Sequence, residues 1–197
     1  MDKLKKCAVA FSNLLDIKYH CIIGRKNKKR ELIIYFNESH FPHLVGLQKI
    51  SDVFELRGNR ERIFKKIIVG NITYDMIKDS VNFPLIEPRL NNLSHIEEFL
   101  DNNSIIFSYE KRKNQTKSNI DSKYLLQSEI NGLPNYLFID EDNLGFFGRT
   151  FFPKNEIDFS IGQSKWTLLK KDKIYLSTGK IITQFDRITP KSILDSL

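Results

Sequence analysis

The sequence predicts an α+β fold in which N-terminal helices pack on a mainly antiparallel sheet formed largely by the C-terminal half. Two observations carry this. Before residue 103, apolar residues recur at helical spacing in residues 2–16 and 59–69. After it, six β-rich runs follow one another too closely for crossover helices, punctuated by Gly, Asn, Asp and Pro. With 197 residues, 41% hydrophobic and 28% charged, the chain is globular and long enough to bury a core. It reads as one domain, 1–197, in which an N-terminal helix and hairpin strand (1–30) lead into the main core (31–185).

The elements follow in order. Residues 2–16 carry Leu4, Cys7, Ala8, Phe11, Leu14 and Leu15 at helical spacing; Asp2, Asn13 and Asp16 interrupt the apolar stretch, so an amphipathic helix fits better than a signal peptide. KYHCII (18–23) and ELIIYF (31–36) flank GRKNKKR (24–30), which reads as a hairpin with a polar loop opened by Gly24. HFPHLVGL (40–47) holds two of the four histidines. Pro42 fixes its own φ and biases Phe41 toward extended backbone, which predicts a stiff turn. Asn59 can cap a helix through RERIFKKII, with Ile63, Phe64, Ile67 and Ile68 on one face. Residues 73–79 and 83–90 are expected to form short helices, and Ser94 to Glu97 has the spacing of a capping box opening a helix through Leu100. Six strands complete the chain: SIIFSYE (104–110), KYLLQSEI (123–130), NYLFID (135–140), LGFFGRTFF (144–152), KWTLLKKDKIYL (165–176) and KIITQF (180–185). The 59–69 and 94–101 helices are expected against this sheet. The polar stretch KRKNQTKSN (111–119) is expected to be a mobile loop, and Phe146, Phe147, Phe151 and Phe152 to be core.

Charge and motifs narrow the function. Lys and Arg number 31 against 24 Asp and Glu, a net +7, which favours an anionic partner, with nucleic acid foremost. No apolar run approaches the roughly 18 residues of a membrane span. Cys7 and Cys21 make neither a disulfide framework nor a metal spacing, so a reducing, cytoplasmic setting is expected. Walker-type phosphate loops, G-x-G-x-x-G, G-x-S-x-G and H-E-x-x-H do not occur.

Three groups of residues could carry chemistry. His40 and His43 lack companions in a metal-ligand spacing, whereas an imidazole titrating near pH 6.5 suits proton transfer; the alternative is that they hold the turn at Pro42. His20 in a strand and His95 in a helix's first turn read as structural. The second group is cationic: Arg25, Lys26, Lys28, Lys29 and Arg30, then Lys111, Arg112, Lys113 and Lys117, on two hairpin tips with no balancing acids. Such tips suit phosphate contacts, or serve only solvation. The third is Lys123, Tyr124, Arg149, Thr150 and Trp166, where a cation and a hydroxyl could hold a phosphate. Strand alternation turns Arg149 and Thr150 to opposite faces, so only one should line a given cleft.

His40, His43, Leu44 and Gly46, in the pattern H-x-x-H-L-x-G, precede a helix like RIFKKII. The Lys-Tyr-Leu-Leu (123–126), YLFI (136–139) and FFGRTFFP (146–153) strands follow. Over residues 30–185 this resembles the fourth phage-associated group of the barnase–EndoU–colicin–RelE superfamily. The resemblance implies N-terminal helices followed by a four-stranded antiparallel sheet, and a metal-independent ribonuclease without cofactor, often a toxin or effector of a phage or mobile element. On that model His43 takes the 2′-OH proton and the freed oxygen attacks phosphorus. A second group protonates the 5′-oxygen, and Lys or Arg holds the phosphorane. It implies roles for His40, Lys123, Arg149 and Thr150, with RNA as partner and a neutralising immunity or antitoxin protein as a second one. Two other readings stay open: a basic module that grips nucleic acid or a protein without cutting, and a degenerate nuclease fold used for interaction.

Overall fold

The computed structural model describes residues 2–113 and 119–190. Helix α1 (Lys3–Ser12) is capped by Asp2, whose carboxylate accepts from the Lys5 amide at 2.9 Å, and it buries Leu4, Cys7, Ala8 and Phe11. A 3-10 turn at Asn13–Asp16 completes the segment expected to be helical. Strands β1 (Ile17–Arg25) and β2 (Lys28–Tyr35) form the hairpin, joined at Lys26 and Asn27 with φ of 46° and 61°. A two-residue turn of this kind matches strand twist. The expected polar loop is therefore mostly strand: Gly24, Arg25, Lys28, Lys29 and Arg30 lie in the ladder. Gly24 does not open a turn. A Cβ there would come within 2.9 Å of the Leu169 side chain, so its smallness admits packing.

Between the hairpin and the next strand, the chain is helical. HFPHLVGL forms a 3-10 turn (Glu38–His40) and helix α2 (Phe41–Val45), ended by Gly46 at φ 88°. Phe41 is helical (φ −53°, ψ −51°) and not extended, because Pro42 sits in the first turn of α2, where its missing N–H has no helical partner to lose. Helix α3 (Arg60–Val69) starts at Asn59, which accepts from the Arg62 amide at 3.1 Å. α4 (Tyr74–Ile77), α5 (Glu87–Leu93) and α6 (Ile96–Asp101) follow. The expected capping box at Ser94 does not form: α6 begins at Ile96 with no side-chain cap, and the Glu97 carboxylate goes to Lys173 Nζ at 2.8 Å. α2, α5 and α6 pack on strands, whereas α3 packs on α1 and α2 instead of the sheet.

The remaining strands are β3 (Ile105–Ser108), β4 (Tyr124–Ile130), β5 (Leu133–Asp142), β6 (Gly145–Pro153), β7 (Ser164–Tyr175) and β8 (Ile181–Asp186). Pairing runs β1-β2-β6-β5-β4-β3-β7 and closes through β7–β1, with β8 branching from β7. The result is a closed barrel of seven strands within an eight-stranded sheet, larger than the four strands the resemblance implied. Among the described residues all ladders are antiparallel except the short β2–β6 pairing. The first hairpin is what closes the ring, since β1 pairs with β2 and β7. At the end of α6, Lys171 Nζ donates to the carbonyls of Leu100, Asp101 and Asn102 at 2.7–3.0 Å, which satisfies a helix C-terminus with a cation.

Two apolar clusters result. The larger joins barrel and helices, from Leu4 and Phe11 through Phe41, Phe64 and Phe99 to Phe146 and Phe151. The smaller gathers Phe107, Tyr109, Leu125, Tyr136, Phe138 and Phe159, with Ile120, Phe152 and Ile157 against it. Alternation explains the split, since Leu137 and Phe151 enter one cluster while Phe138 and Phe152 enter the other. No helix among the described residues is long and apolar enough to cross a membrane.

Candidate active site

A cleft of about 710 Å³ opens where the helical layer meets the smaller cluster. Its helical wall carries His43, Gln48, Lys49, Pro84, Leu85, Pro88 and Arg89; β6 and its neighbours supply Arg149, Thr150, Phe152, Phe159 and Ile120.

Arg89 is the residue that gives the cleft its character. It is 7% exposed, on the face of α5 that also buries Leu90 and Leu93. Its Nη1 donates to Thr150 Oγ1 at 2.6 Å, and its guanidinium lies 5.1 Å from the Phe152 ring centre. Among the described residues no carboxylate pairs with it. Burial pushes its pKa down to about 10, so it remains charged at neutral pH. A buried cation without a counter-ion costs energy, and an anion entering the cleft would offset that cost. Gly46 makes the placement feasible: a Cβ there would lie 3.2 Å from Arg89 Cδ and Ile86 Cγ2, at a φ of 88° that side chains rarely adopt.

The glycine belongs to the same segment as the histidines. His43, on α2, is half-buried on the cleft wall, and its pKa is lowered by burial first, then by Arg60 and Arg149. It is a neutral imidazole at pH 7, able to accept a proton. His40 is 8% exposed, its Nδ1 accepting from the Asn37 amide at 3.1 Å. Its ring stacks on Phe147 (centroids 5.0 Å apart, planes at 20°), and burial takes its pKa down to about 4. His40 does not line the cleft. Lys49 does, and its pKa is lowered by burial and by Arg89.

Arg149 and Thr150 both line the cleft, contrary to the alternation argument. In the β5–β6 ladder Phe138 pairs with Thr150 and Ile139 with Gly148, so Arg149 is the extra residue of a β-bulge. A bulge puts two successive residues opposite one and re-aims a side chain. Arg149 donates to Asp140 Oδ2 at 2.7 Å.

The other candidates lie elsewhere. Lys123 is exposed beside Glu141, 3.8 Å away, and does not line the cleft. Arg25, Lys28, Lys29 and Arg30 lie along the β1–β2 hairpin, where Arg30 donates to Tyr124 Oη at 2.9 Å and covers the Trp166 ring. Lys111, Arg112 and Lys113 form a 3-10 turn, not a loop without structure; Arg112 and Lys113 pair with Glu110, so this tip does have a balancing acid. Asp121 lines both the cleft and a shallow depression bordered by Lys111 and Arg112, which puts that turn beside the cleft. Lys117 lies outside the described residues. Arg89 and Lys49 escaped the sequence reading. For Arg89 a signal existed: it continues the apolar face of Ile86, Leu90 and Leu93, where a cation is out of place. Among the described residues no group of three or more His, Cys, Asp or Glu could hold a metal ion.

Neither the curated proteins nor the solved structures contain a significant match to the chain. A family model, described as phage-Barnase-EndoU-ColicinE5/D-RelE like nuclease 4, matches residues 3–187, which include the N-terminal helix and every strand of the barrel. The H-x-x-H-L-x-G segment, the cationic cleft it helps to build and this match over nearly the whole chain agree: the protein belongs to that nuclease family.

Proposed function

We propose that this nuclease is a metal-independent ribonuclease that cleaves RNA by 2′-OH transesterification in the cleft between α2, α5 and β6. The observation that carries the reading is Arg89, a buried guanidinium without a carboxylate partner among the described residues, in one cleft with a neutral imidazole, His43. A phosphodiester is the anion that a nuclease must bind, and Arg presents a fork that matches two phosphate oxygens. His43 accepts the proton of the 2′-OH, and the O2′ electron pair forms the bond to phosphorus. As the P–O5′ bond breaks, Lys49 gives a proton to O5′, helped by the lowered pKa that burial and Arg89 impose. Arg89 and Arg149 face the charge that accumulates on the phosphorane. The products are a 2′,3′-cyclic phosphate and a 5′-hydroxyl.

Substrate RNA beyond the cleft is held by Lys111, Arg112 and Lys113 beside it, with Arg25, Lys28, Lys29 and Arg30 as a second cationic strip. The family's phage association supports a role as a toxin or effector restrained by a neutralising immunity or antitoxin protein. The two buried free thiols, Cys7 and Cys21, suit a reducing cytoplasm. The test is incubation of the purified chain with an RNA oligonucleotide and its 2′-deoxy counterpart, with and without EDTA. Cyclic phosphate ends from RNA alone, unaffected by EDTA, are expected. Binding of both strands without cleavage would favour the non-catalytic module.

A further inference from the structure

The cleft has a second half that proton transfer and charge do not use. On the helical wall Pro84, Leu85 and Pro88 are all exposed to solvent, and Leu85 is 54% exposed. They contribute little to either apolar cluster, yet all three line the cleft. Pro84 and Leu85 belong to a 3-10 turn (Phe83–Leu85) that leads into α5, and Pro88 directly precedes Arg89 on that helix, so the apolar lip and the cationic floor are carried by one continuous stretch of chain. Ile120 and Phe159 of the smaller cluster line the same cleft, as do Asn119 and Asn155. A cleft whose lining combines apolar side chains, amide groups and a buried cation matches a heterocycle attached to a phosphate.

We propose that Pro84, Leu85 and Pro88 form a nucleobase subsite, against which a nucleotide lays its base while Arg89 holds the phosphate. This rests on the reading of Arg89 as a phosphate site. The ligand class is a nucleoside monophosphate or the corresponding unit of an RNA strand. The charge of Arg89, Lys49 and Arg149 beside the lip selects this occupant over an uncharged apolar one.

Isothermal titration of the full chain with inorganic phosphate and with each nucleoside 3′-monophosphate tests the subsite. At least one nucleotide should bind about tenfold or more tightly than phosphate. Leu85→Ala should weaken that nucleotide about three- to tenfold and leave phosphate affinity unchanged, as expected when partly buried apolar surface is removed. Leu85→Met, which keeps the apolar surface, should retain most of the affinity. Because Leu85 is exposed, circular dichroism of the variants should match the wild type. Nucleotides that bind no tighter than phosphate, or an unchanged nucleotide-to-phosphate ratio in Leu85→Ala, would overturn the subsite while leaving the phosphate site standing. If neither phosphate nor any nucleotide binds, both ideas fail.

Discussion

His40 and His43 stand three residues apart on one short helical segment and meet opposite surroundings. His40 lies against Phe147 and Tyr35, accepts a backbone amide at Asn37 and is held neutral down to about pH 4. His43 emerges one turn later on the wall of a cationic cleft, with Arg60 and Arg149 near enough to lower its pKa. The difference shows how one segment can divide its work. The first imidazole fixes the 3-10 turn that leads into the helix, the second is carried to the cleft, and Gly46 closes the helix in a conformation that lets Arg89 approach.

Substitutions can break that division, the largest effect first. His43→Ala should reduce RNA cleavage about 10²- to 10⁴-fold with little change in the urea midpoint, because it removes a proton-transfer group from a half-buried position. Arg89→Ala should cost about 10²- to 10³-fold in rate, and Arg89→Lys should recover part of it, since charge returns without the fork. Gly46→Ala should destabilise by about 1–3 kcal/mol, read by urea unfolding, and also slow cleavage, because the new methyl meets Arg89.

His40 bears on stability through pH. Its folded pKa of about 4 lies below the ordinary 6.5, so the unfolded chain takes up a proton first as pH falls. The stability it contributes is complete above pH 6.5 and lost between there and pH 4. Between pH 7 and pH 5 the chain should lose about 2 kcal/mol from this group, and His40→Phe should flatten the dependence. A profile as steep in that variant would assign the loss elsewhere. The smallest effect concerns the outlying cations. Replacing Lys28 and Lys29, while keeping the Arg30 that donates to Tyr124, should lower the log–log salt slope of RNA binding by about 0.7 for each phosphate no longer engaged. An unchanged slope would assign Lys28 and Lys29 to solvation alone.

The strands and most helices were legible because local pattern decides them. Asn59 before RERIFKKII is a cap in sequence and in space, and runs such as NYLFID alternate into two cores as strands do. What escaped depends on partners distant in sequence. Closure of the ring needs β1 to meet β7, some 150 residues later. The bulge at Arg149 exists only against β5, so alternation within β6 could not reveal that Arg149 and Thr150 share a cleft. Glu97 had the spacing of a capping residue, but Lys173 competes for it. For the site itself, the histidine segment was visible, whereas Arg89 showed only as a cation on an apolar helix face; its place in the cleft depends on Thr150, Phe152 and Gly46, none of them on its own helix.

The central claim is that His43 is the proton acceptor of this cleft, and a pH–rate profile tests it most directly. Single-turnover cleavage of one RNA oligonucleotide should be followed in EDTA from pH 4.5 to 8 for the wild type and for His43→Ala. The wild-type rate should fall on the acid side with a midpoint below 6.5, where a His43 of lowered pKa takes up its proton. In His43→Ala the residual rate should lack that limb. A variant that retains both the wild-type rate and its acid limb would contradict the account.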